Sequence, residues 1–99
     1  MRRTREEILR IIAENRDAIQ ACGARRLALF GSAARGDAGD DSDADFIVEL
    51  NRKTFDNYMD LKELLEKLLG CPVDLVMADA VKPRLRSAIE RDMVHAEGL

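Results

Sequence analysis

Five aspartates fall within nine residues of this chain, at Asp37, Asp40, Asp41, Asp43 and Asp45, shortly after Gly31-Ser32 and Arg35-Gly36. Like charges crowded this closely repel one another in a folded protein, so the run is either a solvated loop or a seat for a cation. Asp43 and Asp45 stand two apart at the start of a strand-like segment, Asp43–Leu50, where a period of two points both carboxylates the same way. Hard oxygen ligands of that kind suit Mg²⁺, which typically takes one or two carboxylates together with substrate phosphates. Gly31 and Ser32 offer the complementary half. A strand ending at Phe30 delivers them to the start of a helical turn, where free backbone amides and a hydroxyl can hold phosphate oxygens. Asp74 is the third acid, since two-metal chemistry, with ions ~3.5–4 Å apart, needs a bridging ligand set. It interrupts the otherwise apolar stretch Cys71-Pro-Val-Asp-Leu-Val-Met77, where a charge is costly unless paired or ligated. An edge-strand aspartate facing solvent is the plainer alternative.

Two other phosphate or cation motifs fail on their own requirements. Read as an EF-hand, Asp41, Asp43 and Asp45 occupy alternate ligand positions, but the obligatory glycine falls at Phe46 and the bidentate glutamate at Arg52. Read as a P-loop, Gly31 and Gly36 are followed by Asp37 and Ala38 where Lys and Ser or Thr are required. What survives is a metal–nucleotide site.

The elements that must position these residues are legible from periodicity and caps. Thr4 and Glu7 form a capping box, and Ile8, Leu9, Ile11, Ile12, Ile19 and Cys22 recur at helical spacing up to Gly23, predicting one helix over about 5–22. Leu27–Phe30 reads as a buried strand, 32–35 as a short helical turn closed by Gly36, and 37–42 as a solvated loop. On the second strand Asp43, Asp45, Ile47 and Glu49 share one face, and Ala44, Phe46, Val48 and Leu50 share the other. Phe55, Tyr58, Met59, Leu61, Leu64, Leu65 and Leu68 mark an amphipathic helix over 55–69, ended by Gly70. A third strand follows over 71–77, and Pro83 opens a last helix with Leu85, Ala88, Ile89 and Met93 on one side. With no repeat and no linker, residues 1–99 are expected to form one α/β (α+β) domain.

Composition narrows the function classes. Apolar content of 46%, charged content of 35% and a net charge of −3 describe an ordinary globular chain and give no basic surface for nucleic acid. No apolar stretch approaches the roughly eighteen residues of a membrane span, so the expected location is the cytoplasm, with Cys22 and Cys71 as buried free thiols. A chain of 99 residues buries only roughly 60–65% of its extended surface, which leaves room for a partner to cover apolar area. His95 reads as an exposed bystander near a frayed terminus, Tyr58 as core, and Arg84, Arg86 and Arg91 as a solvated helix face.

Taken together, Gly31-Ser-x-Ala-Arg-Gly36, five residues, then Ser42-Asp-x-Asp45-x-x-Val48 resembles the signature of the minimal nucleotidyltransferases, small members of the polymerase-beta-like nucleotidyltransferase superfamily. The resemblance covers nearly the whole chain and implies a small mixed β-sheet with helices packed on one face and the site on the other. It implies that Gly31 and Ser32 contact a triphosphate and that Asp43 and Asp45 bind Mg²⁺. Asp74 would complete the metal site and help to activate an acceptor hydroxyl. Arg35 matches a motif position as well, with a role either in neutralising phosphate or in bracing the acidic loop. Ala44 and Phe46 depart from the bulkier aliphatics frequent at their positions and read as compensating core packing. Many such proteins resemble antitoxins that transfer AMP from ATP to a tyrosine of a HEPN ribonuclease toxin. The same resemblance leaves open a non-catalytic module that masks its partner, or transfer to a small molecule or nucleic acid. The chain is shorter than family members that carry a substrate-binding domain, so its acceptor is expected to come from a partner protein.

Overall fold

A computed structural model describes residues 4–36 and 43–95. Its elements run α1 (Arg5–Glu14), α2 (Arg16–Ala21), β1 (Ala24–Phe30), α3 (Gly31–Arg35), β2 (Ala44–Leu50), α4 (Phe55–Leu69), β3 (Val73–Met77), a 3₁₀ turn (Ala78–Ala80), α5 (Pro83–Asp92) and β4 (Val94–His95). The strands form one mixed sheet in the order β3-β2-β1-β4. β1 lies antiparallel to β2 and to β4, whereas β2 and β3 are parallel. A parallel pair needs a long crossover, and α4 is that crossover.

Alternation along β2 sorts the sheet into two faces. Ala44, Phe46, Val48 and Leu50 join Leu27 and Leu29 of β1 and Val73 and Leu75 of β3 in one core, against Ile8 and Ile12 of α1, Ile19 of α2 and Leu61, Leu65 and Leu69 of α4. Asp45, Ile47 and Glu49 take the opposite face, as the period of two requires. Ala28 and Ile47 are buried on that second face, where they line a cavity together with Ile89 and Met93 from the region of α5.

Four details differ from the sequence expectation. The first helix is divided at Asn15, whose side-chain amide donates to the Ile11 carbonyl at 2.8 Å and whose backbone leaves helical geometry at φ −114°. β1 begins three residues earlier than expected, because an irregularity in register between Ala24 and Arg26 lets Ala24 and Leu27 both face the core. Phe55 is 76% exposed and Leu85 51%, so neither helix buries the whole of its apolar stripe. His95 lies in a two-residue strand opposite Ala28, too short to show alternation in sequence.

The edge strand β3 is also covered. Tyr58 of α4 donates its phenol to the Leu75 carbonyl at 2.7 Å, and Glu66 of α4 accepts from the Val73 amide at 3.1 Å. Those side chains occupy backbone groups that an open edge would offer to another strand. Tyr58 is therefore a packed, hydrogen-bonded residue, as expected. The acidic positions Asp37, Asp40 and Asp41, expected to be a solvated loop, lie outside the described residues.

Candidate active site

The site residues meet at one end of the sheet. β1 ends at Phe30, directly opposite Asp45, and Asp45 is in turn opposite Asp74 on β3. Register partners on neighbouring strands stand about 4.8 Å apart and project to the same side of the sheet. The parallel pairing of β2 with β3 thus brings together two acids that are 29 positions apart in the chain (74 − 45 = 29). Asp43 precedes β2 and is exposed, and Asp74 is exposed on the edge strand, while Asp45 is half-buried between them.

Gly31 explains how β1 turns into α3 without covering Asp45. Its φ is +73°, a left-handed conformation that favours glycine. A Cβ placed there would lie 3.2 Å from Asp45 Cγ and overlap Oδ2, so the close approach needs a residue without a side chain. Ser32 follows as the second residue of α3, half-buried, and Gly36 ends the turn at φ +81°. The first amides of such a turn have no intrahelical acceptor, which leaves them available to an anion. Arg5 of α1 holds the far side of this turn by donating to the Ala34 carbonyl at 3.3 Å.

Electrostatics single out Asp45. Burial pushes its carboxyl above the ordinary range, the Asp74 and Asp43 carboxylates add to the rise, and the Arg35 guanidinium opposes it. Asp45 therefore senses both neighbouring carboxylates, and Arg35 stands close enough to offset part of their effect on it. Among the described residues no three acidic, histidine or cysteine side chains are gathered closely enough to hold a metal ion between them. Asp45 and Asp74, partners across the parallel pair, supply hard oxygen donors, and Mg²⁺ takes only one or two carboxylates before phosphate and water complete its shell, so that pair fits the ion.

Every site residue expected from sequence is thus at this end of the sheet: Gly31, Ser32 and Arg35 on α3, Asp43 and Asp45 at the start of β2, and Asp74 on β3. What sequence reasoning missed is a cavity farther along the same face, bordered by Arg26, Glu49, Arg86 and His95. Its one legible signal was Glu49, which shares the Asp45 face of β2. Arg86, expected to be a solvated residue, pairs with Glu90 at 3.2 Å beside that cavity.

Residues 5–95 match the family model described as "Nucleotidyltransferase domain". The chain belongs to the nucleotidyltransferase domain family. Among its relatives, protein adenylyltransferase MntA of Thermococcus cleftensis is 36% identical over 94 residues, covering 93% of this chain and 95% of that one. A Methanocaldococcus jannaschii protein, provisionally named a protein adenylyltransferase, is 40% identical over 75 residues, or 72% of this chain and 75% of that one. A solved structure provisionally named a minimal nucleotidyltransferase superposes with a TM-score of 0.71 at 37% identity, covering 87% of this chain and 93% of that one. The same nucleotidyltransferase fold occurs in a complex of a tri-AMPylated Shewanella oneidensis HEPN toxin with an MNT antitoxin. There the TM-score is 0.64 at 17% identity, with 92% of this chain and 73% of that one covered.

Cys22 and Cys71 are free, as expected, but half-buried rather than buried. Burial, with a smaller contribution from the Asp60 carboxylate, raises the Cys22 thiol above its ordinary value, which disfavours the reactive thiolate. Among the described residues no helix is long and apolar enough to cross a membrane.

Proposed function

We propose that this nucleotidyltransferase is a Mg²⁺-dependent protein adenylyltransferase that transfers AMP from ATP to a tyrosine hydroxyl of a HEPN-type toxin, and so acts as its antitoxin. The observation that carries the reading is the parallel register that sets Asp45 beside Asp74, with Gly31 held against the Asp45 carboxylate. Its supports are the adenylyltransferase names of the relatives and the HEPN toxin–MNT complex of the same fold.

In this reading the Gly31 amide and the Ser32 hydroxyl hold oxygens of the ATP triphosphate, and Arg35 balances charge between the phosphates and the acids. Asp43, Asp45 and Asp74 would hold Mg²⁺, which when bound supplies Lewis-acid stabilisation of phosphoryl charge. The acceptor hydroxyl loses its proton towards Asp74. Its oxygen then forms a bond to the α-phosphorus as the bond from that phosphorus to pyrophosphate breaks. Because Asp74 is exposed on the edge strand, a macromolecular acceptor can approach it from outside.

Intact-mass measurement after incubation with ATP, Mg²⁺ and the co-purifying partner tests the reading, with addition of AMP to the partner as the expected result. Transfer that persists in Asp43→Ala/Asp45→Ala would exclude it. Exposed Phe55 and Leu85 favour a second reading, in which the chain masks its partner by binding alone. That version requires the double-aspartate variant to protect cells as well as the parent does.

A further inference from the structure

The face of the sheet that carries Asp45 continues into a cavity of about 260 Å³. Its floor is Ala28 and Ile47, its wall is Ile89 and Met93, and its rim carries Arg26 and Glu49. The cavity does not include the three acids. It begins at Ile47, which follows Asp45 by two positions on the same face of β2, a step of roughly 7 Å along the strand. We infer that this cavity receives the nucleobase of the nucleoside triphosphate, a reading that rests on the proposed nucleotidyltransferase chemistry.

Three observations lead there. The triphosphate contacts, Gly31 and Ser32, and the acids stand together at one end of the sheet, so the nucleoside must extend from that point. The gap between Asp45 and the cavity is of the order a ribose spans. The second observation is size, because the volume lies below the roughly 300–1,000 Å³ of sites for drug-sized ligands and suits a ring system rather than a folded segment. The third is lining: an apolar floor and wall for the ring faces, and a polar rim for the ring edge. Arg26 and Glu49 pair at 3.8 Å across that rim, and Arg86 and Glu90 pair at 3.2 Å on the helix above. Each pair presents a donor and an acceptor, and a guanidinium plane can also stack on a base. A macromolecular acceptor, by contrast, can reach the Asp74 side chain, which is exposed on the edge strand.

Filling the cavity from Ile89 of α5 and from Met93 just after it tests this while leaving every strand residue unchanged. Binding of ATP and of inorganic tripolyphosphate, each with Mg²⁺, is measured by calorimetry for the parent protein, Ile89→Trp and Met93→Trp. The parent should bind ATP about tenfold or more tightly than tripolyphosphate, the range expected of a stacked base. Both variants should lose that preference while their tripolyphosphate affinity changes less than about twofold, which also reports an intact phosphate site. Variants that keep the parent's preference for ATP would overturn the assignment. So would unchanged ATP binding with a raised KM for the acceptor protein, which would place an acceptor side chain in the cavity. Intact-mass transfer by the parent protein separates the two ideas, because AMP transfer with a cavity indifferent to filling leaves the enzyme reading standing and removes only this one.

Discussion

The two faces of the sheet are made by the same strands and do opposite things. Towards α1, α2 and α4, β2 presents Ala44, Phe46, Val48 and Leu50, all nearly or fully withdrawn from solvent, and no charged residue interrupts that layer among the described residues. Towards the other side the same strand presents Asp45, Ile47 and Glu49, and the cover is a single helix whose residues are mostly exposed. One face is therefore a source of stability, and the other holds mutually repelling carboxylates at some cost to it. A residue changed on the first face should alter folding, and one changed on the second should alter chemistry. That separation can be attacked from both sides.

The largest expected effect is on the chemical side. Asp43→Ala/Asp45→Ala should lower AMP transfer by about 10³-fold or more, since loss of phosphoryl charge stabilisation is worth several kcal/mol. Its urea midpoint should remain close to the parent's, because Asp43 is exposed and Asp45 half-buried. On the opposite face, Phe46→Ala removes a ring that is 1% exposed and should cost about 3–5 kcal/mol of stability, read as a lowered urea midpoint. At a temperature where the variant is still folded, its nucleotide affinity should change little. If Phe46→Ala abolished nucleotide binding in the folded state, the division between the faces would fail.

This division was largely legible in the sequence, because alternation is a property of the strand alone. Asp43 and Asp45 could be assigned to one side, and Phe46 and Val48 to the other, before any tertiary contact was known. The meeting of Asp45 with Asp74 was legible only as a need for a third acid, since parallel register depends on how α4 crosses the core. The break at Asn15 was hidden because the apolar spacing continues through it, and only the side-chain bond to Ile11 shows the interruption. β4 was hidden for a different reason. Two residues cannot display a period, and their pairing with Leu29 and Ala28 depends on the end point of α5. The cavity was missed because its wall and floor come from elements distant in sequence, and α5 is too exposed for its pattern to announce a buried face.

Gly31 sits where the two faces meet, so its replacement should show a mixed effect of intermediate size. Gly31→Ala must hold alanine at φ +73° and displace the Asp45 carboxylate that occupies the space of the new methyl. The backbone penalty alone is roughly 1–2 kcal/mol, visible as a modest drop in the urea midpoint. Transfer should fall by more than that drop would suggest, because the carboxylate moves away from its position beside Asp74. A variant with lowered stability and full transfer would show that the Gly31–Asp45 contact is packing and nothing more.

The smallest effect concerns the charge on Asp45 itself, and here the sign matters. Its carboxyl is raised above the ordinary value, first by burial and then by Asp74 and Asp43, with Arg35 opposing. A raised folded-state value means that the folded protein holds this proton more tightly than the unfolded chain does. The associated stability is therefore complete below the unfolded value, about 3.9 for an aspartate, and is lost as pH rises through the raised folded value. At neutral pH the charged Asp45 weakens the fold of the metal-free protein, and Asp45→Asn should be more stable there. Because the carboxyl is only half-buried, solvent screening keeps the gain under about 1 kcal/mol. Urea midpoints of parent and variant should nearly coincide around pH 4 and separate as pH approaches 7, with the variant higher. Adding Mg²⁺ and ATP should close the gap by stabilising the parent, while the variant transfers no AMP at any pH. A gap of constant size from pH 4 to pH 7 would mean that neither burial nor the neighbouring acids raise the Asp45 carboxyl, and the open face would then carry no electrostatic strain for a cation to relieve.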